Sequence, residues 1–294
     1  MRVTEAMIYQ QTIEKANAAL AKVARAQGEL SSGLRVQKPG DDPQAAGLLV
    51  RHKFDQGQVT AIQSGAQRAA DELNAADSAM ASVSNGLARA QVLATQFGND
   101  TYTASDRAAA AQEVDGLYKQ VVGSLNTRFG DRYLFGGYVD NQQPFANDGS
   151  YLGDTGVRQV EVAPGVYEDS SIRADVMAKG VGGGVDILQA LADLSAALRS
   201  NDSNTIRASI TSLQAGNNQV SAAQSQAGTS VNIFNYAVNT CVAQITDEKK
   251  VIGELGDADV MDASTRLALA QYALNATLTA ASQTLNFSLV NLLK

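Results

Sequence analysis

The chain holds one histidine, His52, in the run LVRHKF, and one cysteine, Cys241. Any metal cluster built on imidazole, and any nucleophile that needs a histidine base, must use that single ring. With Arg51 and Lys53 on either side and no second histidine to converge on it, His52 reads as a solvated helix position rather than a catalytic group. Cys241 has no partner for an intrachain disulfide or a paired thiolate metal site. It falls on an apolar stripe between Val238 and Ile245, which predicts a buried, inert thiol. Asp154, Thr155 and Gly156 match an aspartic protease triplet, but Gly153 stands where that triplet wants an apolar residue and no second copy exists, so a hairpin turn accounts for it. The run GVGGG at 180–184 lacks the Lys-Ser/Thr or the G-x-G-x-x-G spacing of a phosphate cradle and reads as a hinge. Asp257, Asp259 and Asp262 are spaced like calcium ligands, without the glycine and twelfth-position glutamate of an EF-hand loop, and helix capping is the better account. No catalytic residue, cofactor or metal site is expected, and the chain does not read as an enzyme.

The elements that carry these residues are mostly helices. Over 294 residues there are 25 Gly, 4 Pro and no Trp, with 5% aromatic and 18% charged residues, a composition poor in the large rings that fill a compact core. The net charge is -7 and no dense Lys/Arg cluster appears, which argues against nucleic acid as a partner. The N-terminal run MRVTEAMIYQQTIEK has no apolar core of a secretory signal, and no stretch reaches the ~18 apolar residues of a membrane span, so neither is expected.

Apolar residues recur at alternating steps of three and four in four runs. The first is Ala6, Tyr9, Ile13, Ala16, Leu20, Val23, Leu30 and Leu34, interrupted by Gln27. Gly33, Pro39 and Gly40 break it, Asp41 or Asp42 can cap the helix that follows, and Pro43 suits that helix's first turn. The second runs from Val59 to Phe97, roughly 58 Å of helix at 1.5 Å per residue, and needs a partner along its length. Ser105 or Asp106 can cap a shorter helix through Leu125. From 131 to 184 the texture changes to short alternating runs, VRQVEVA and SIRADVMA, between turn signals, which predicts small β-hairpins. A third long run, from Ile206 to Leu255, is apolar except at Asn217, Gln224 and Glu248. The last carries Leu267, Leu274, Leu278, Leu285 and Leu292.

The order is nearly palindromic. It predicts a mainly α fold: an elongated antiparallel helical bundle or coiled-coil rod formed by the two halves of the chain, with a small β-rich domain inserted in the middle. The boundaries read as 1–40 and 257–294 for the terminal helices, 41–130 and 185–256 for the halves of the rod, and 131–184 for the insert. The two terminal stripes lie outside the bracketed body, so they are expected to bury against each other or against other subunits.

The run LSSGLRVQKPGDDPQAAGLL resembles the N-terminal segment of the flagellin superfamily, in the Pro-Gly-Asp-Asp-Pro form of its hook-associated branch. RYLFGGYVDNQQPF, at 132–145, resembles the entry to the outer domain of that branch, and ALAQYALNATLTAASQTLNFSLVNLLK is similar to the family's C-terminal helix. The resemblance implies a structural protein outside the cell in the flagellum, exported unfolded through the flagellar channel without a cleaved signal. It implies a ring of its own copies between hook and filament, touching an adjacent hook-associated protein, flagellin and an export chaperone. A short flagellin of the filament itself is the alternative within the superfamily, and a soluble helical enzyme or secreted binding protein the one outside it. Ile13, Leu20, Val23, Leu30, Leu34, Leu267, Leu274, Leu278, Leu285 and Leu292 would then form the assembly interface. Gly33, Pro39, Gly40, Asp41, Asp42 and Pro43 would form the joint between the terminal helices and the rod, and the β-rich insert would face outwards.

Overall fold

The computed structural model describes residues 2–292, with side chains described at position 7 and from 10 to 283. The fold is mainly α. Among the described residues seven helices run in the order α1 (Arg2–Ser32), α2 (Pro43–Phe97), α3 (Ala104–Leu125), α4 (Ala174–Met177), α5 (Ile187–Arg199), α6 (Ser203–Gly256) and α7 (Val260–Leu292). Four short strands lie between α3 and α4: β1 (Arg128–Phe129), β2 (Arg132–Tyr133), β3 (Gln159–Ala163) and β4 (Val166–Asp169). The chain forms two compact units, one of residues 59–243 and one of residues 1–58 with 244–294, so their boundaries fall inside α2 and α6 rather than at the glycine and proline breaks. Among the described residues no helix is long and apolar enough to cross a membrane.

In the unit of residues 59–243, α2 and α6 run antiparallel and share one core with α3 and α5. Leu73, Met80, Val83 and Leu87 of α2, Val114 and Val121 of α3, Leu191 and Leu194 of α5, and Leu213, Val220 and Phe234 of α6 are all buried in it. Small residues bring the helices close: a side chain at Gly216 would meet Ile187 at 2.8 Å, and one at Gly86 would meet Val121 at 2.9 Å. Two of the polar interruptions in the α6 stripe find partners on α2. Asn217 accepts from Ser84 at 2.6 Å and Gln224 donates to Asp77 at 3.0 Å. Paired polar groups inside an apolar seam fix its register, because a slipped helix would leave them unpaired.

The helices α3, α5 and α6 of this unit each start at a side-chain cap. Thr103, rather than Ser105 or Asp106, caps α3: its hydroxyl accepts from the Asp106 amide and Asp106 accepts in return from the Thr103 amide. Asp186 caps α5 through the Leu188 and Gln189 amides, and Asp202 receives the Asn204 and Thr205 amides at the start of α6. The turn from α2 to α3 is tied to the turn from α5 to α6 by Arg107, which is 3% exposed. Its Nε donates to the Phe97 carbonyl, Nη2 to Asn99 O and Ser203 Oγ, and Nη1 to the backbone and side-chain oxygens of Asn201. Asn201 has a positive φ of 60°, a conformation asparagine tolerates better than most residues.

The segment after α3 contains less strand than its alternating pattern predicts. β1 pairs with β2, and β3 with β4, each as an antiparallel hairpin, with an irregularity between Glu161 and Ala163. VRQVEVA forms β3, whose Val160 and Val162 pack on the helical core. SIRADVMA does not form a strand; its centre is the short helix α4. Met177 and Ala178 are both buried, which adjacent residues of a strand with one covered face cannot be. A turn in this segment is organised by Asp154, whose carboxylate accepts from the Tyr138 and Gly156 amides. Burial, helped by the Asp175 and Asp154 carboxylates, pushes the Tyr151 hydroxyl up to about 12. That hydroxyl stays protonated and reaches the Phe135 and Asp154 carbonyls. The glycine run leaving this segment is held by Gln219, which accepts from the Val185 amide and donates to the Val176, Met177 and Val185 carbonyls.

Candidate functional site: the joint and the terminal helices

The joint lies in the unit of residues 1–58 and 244–294. α1 stops at Gly33, whose φ of +70° is the left-handed conformation that ends helices, and whose amide bonds the Glu29 carbonyl at 2.9 Å. The chain then runs beside the break between α6 and α7. The Arg35 amide donates to Gly256 O at 2.8 Å, the Ala258 amide donates to Gly33 O at 2.9 Å, and Leu34 bridges Asp257 in antiparallel sense. Arg35 adds side-chain bonds to the Leu255 carbonyl and to Asp42. Both chain breaks are thus one hydrogen-bonded structure, which sequence periodicity does not reveal.

The two aspartates have different tasks. Asp42 caps α2, its Oδ1 accepting from the Ala45 amide at 3.0 Å, and Pro43 occupies the first helical position. Asp41 instead closes the loop before it, accepting from the Gln37 and Lys38 amides. Pro39 and Gly40 are exposed on that loop, and Gly40 does not have a positive φ, so only Gly33 uses glycine's conformational freedom here. Hydrogen bonds hold both carboxyls below their usual range, chiefly from the Ala45 amide and Arg35 for Asp42 and from the Lys38 amide for Asp41.

A carboxyl whose pKa is depressed on folding stabilises the folded state above its unfolded pKa of about 4, and that contribution disappears as pH falls through the depressed value. The joint is therefore expected to loosen in acid below the ordinary aspartate range. The check is amide exchange at Ala45 and Ala46 against pH: protection, measured relative to the intrinsic rate at each pH, falls in acid in the native chain, while Asp42→Asn, which keeps a capping oxygen, flattens the Asp42 contribution. Equal pH dependence in both would contradict this role.

α7 starts after Asp259, whose carboxylate accepts from the Met261 and Asp262 amides. With Asp262 paired to Arg266, two of the three carboxylates spaced like calcium ligands are occupied by the helix start itself. Beside the joint α1 packs on α7 in antiparallel sense, and most of the positions covered are alanines. Ala16, Ala19, Val23 and Ala26 of α1 are partly or fully covered, as are Ala263, Leu267, Ala270 and Leu274 of α7. The larger residues of the first seam are not taken up by this pairing: Ile13, Leu20, Leu30 and Leu34 are exposed, as is Leu278 on α7. Alanines let two helices approach closely, which leaves the wider side chains at the flank rather than between them. Met261, Leu269 and Tyr272 add further exposed apolar surface on α7. Ala6 and Tyr9 of the first run and Leu285 and Leu292 of the last lie outside the residues whose side chains are described.

One residue of this pairing escapes the apolar pattern altogether. Glu29 is buried, with Arg25 at 3.5 Å and Arg266 at 3.0 Å; Arg25 continues to Asp41 and Arg266 to Asp262. The available signal was the alanine stripe 16, 19, 26 rather than the leucines, since Glu29 continues it by one helical step. His52 also departs from expectation: it is half-buried, and its Nδ1 lies 2.8 Å from Oε2 of Glu248, the polar interruption of the α6 stripe in this unit.

Residues 3–140 match the family model of the bacterial flagellin N-terminal helical region. The chain is 30% identical over 155 residues to flagellar hook-associated protein 3 of Escherichia coli, covering 52% of this chain and 49% of that one. It is 36% identical over 107 residues to a flagellin of Clostridium tyrobutyricum, covering 35% of this chain and 28% of that one. Among solved structures, a Vibrio parahaemolyticus chain assigned as a flagellar hook-associated protein shares the fold with a TM-score of 0.68, at 21% identity, over 74% of this chain and 100% of that one. The chain spans about half the length of the hook-associated relatives it matches in sequence. The N-terminal part of this chain is thus similar in sequence to the flagellin N-terminal helical region and to hook-associated relatives, and about three quarters of the chain shares the fold of a solved hook-associated chain.

Proposed function

We propose that the protein is a non-enzymatic structural subunit of the bacterial flagellum, forming a ring at the junction between hook and filament on which the filament assembles. The observation that carries this reading is the paired α1 and α7, whose contact uses alanines and leaves Ile13, Leu20, Leu30, Leu34 and Leu278 exposed. Aliphatic side chains displayed along two helices are the surface that stacking subunits bury. The same seam includes Val23, Leu267 and Leu274, which are partly covered, and Leu285 and Leu292 by sequence position. Its partners are copies of the chain, an adjacent hook-associated protein, flagellin, and an export chaperone that shields these stripes before assembly. Gly33, Pro39, Gly40, Asp41, Asp42 and Pro43 form the joint at which α1 can take a direction different from α2. The protein works outside the cell, delivered through the flagellar export apparatus.

The hook-associated relatives support a junction role over a filament role, and the flagellin match supports the second reading, a short filament flagellin. The two differ in stoichiometry by orders of magnitude, so the number of copies per flagellum tests them.

A further inference from the structure

We propose that His52, Asp55 and Glu248 form a binding site for a divalent transition ion of the zinc class, linking α2 to α6 within the unit of residues 1–58 and 244–294. His52 and Asp55 are three residues apart and share one face of α2, and Glu248 faces them from α6. One ligand atom from each lies within 4.8 Å of the others, and all three residues are partly buried. A tetrahedral ion with bonds near 2.0–2.1 Å needs donor atoms about 3.3 Å apart, which small side-chain rotations at this site supply.

The donor set selects the ion. An imidazole nitrogen with two carboxylate oxygens suits zinc, cobalt, nickel or copper; magnesium and calcium prefer all-oxygen shells of higher coordination. The two carboxylates balance a divalent charge, and three protein ligands leave the fourth position to water. A metal bound at Nδ1 takes the place of the His52–Glu248 hydrogen bond, and the neutral ring then carries its proton on Nε2. Arg51 is the local competitor, 3.9 Å from Asp55, but it is largely exposed, and exposed pairs at that distance contribute little. The site differs in this respect from Asp257, Asp259 and Asp262, where helix amides and Arg266 already occupy two of the carboxylates. The inference does not depend on the flagellar reading.

The test uses the full chain purified without a histidine tag, titrated with Co²⁺ and then Zn²⁺. One equivalent of Co²⁺ is expected to give a visible absorption band that Zn²⁺ displaces. Because His52 is the one imidazole in the sequence, its ring proton resonances report the same event without ambiguity. Glu248→Gln and His52→Gln are each expected to weaken binding roughly tenfold or more, and Cys241→Ser to leave it unchanged. Among the described residues Asp55 makes only the weak contact with Arg51, so Asp55→Asn provides a variant that keeps the fold if the other two do not. Absence of saturable one-equivalent binding below roughly 100 µM, or undiminished binding in the folded Asp55→Asn and His52→Gln variants, would overturn the site and leave a proton-bridged His–Glu pair.

Discussion

Replacing Arg107 by alanine lowers the stability of the unit of residues 59–243 by about 3–5 kcal/mol, because several covered acceptors lose their donor at about 1–3 kcal/mol each. All five guanidinium N–H groups are engaged, and their acceptors are carbonyls and side chains of two turns far apart in sequence. Alanine takes the Arg107 donors from the Phe97, Asn99 and Asn201 carbonyls near helix ends, where backbone acceptors are already in excess. For a unit of this size the thermal midpoint falls by roughly 10 °C. Arg107→Lys recovers only part of the loss, because one ammonium cannot span acceptors arranged around a planar fork. The check is calorimetric or chemical unfolding of the three proteins side by side. A loss under about 1 kcal/mol for the alanine variant would mean that water replaces the guanidinium without penalty.

Leu278→Asp is expected to abolish incorporation into flagella while leaving the isolated chain folded. Leu278 is 51% exposed on α7, so a carboxylate there stays hydrated in the monomer and changes its stability by no more than about 0.5 kcal/mol. In a stacked subunit the same carboxylate would be desolvated against aliphatic neighbours without a cation, which costs several kcal/mol. At about 1.4 kcal/mol per factor of ten, incorporation drops by at least roughly a hundredfold. Leu278→Ala loses contact area only and should incorporate at reduced efficiency. Quantifying each variant in sheared flagella against its level in the culture medium separates assembly from export. Normal incorporation of Leu278→Asp would remove this face of α7 from the interface.

The helical skeleton was legible because the long runs repeat at steps of three and four over ten or more turns, and such a stripe has few alternatives to a helix with an apolar partner. The capping residues at Asp42, Asp186, Asp202 and Asp259 follow from local chemistry and can be located within a residue or two by reading alone. What lies between segments distant in sequence was not legible. The polar interruptions Asn217, Gln224 and Glu248 look like defects in a stripe until Ser84, Asp77 and His52 stand opposite them. The joint is likewise half visible: its glycine, proline and aspartates are plain in the sequence, but the bonds from Arg35 and Ala258 that splice it to the second break depend on tertiary pairing. SIRADVMA alternates like a strand over too few residues for the period to decide, and the burial of Met177 beside Ala178 decided for a helical turn. In the terminal pair, the three-four spacing could not show which residues of each stripe the pair covers itself: Ala16, Ala19, Ala26, Ala263 and Ala270 are covered along with Val23, Leu267 and Leu274. Ile13, Leu20, Leu30, Leu34 and Leu278 stay exposed, and they belong to the proposed interface.

The central claim is a ring at the hook–filament junction, and stoichiometry tests it most directly. Purified, sheared flagella with hooks attached would be quantified by mass spectrometry, with the hook protein as internal standard. The account predicts a copy number on the order of one or two rings of subunits per flagellum, independent of filament length. A copy number that scales with filament length into the thousands would contradict it and make the chain a filament flagellin, and absence from the flagellum would contradict both.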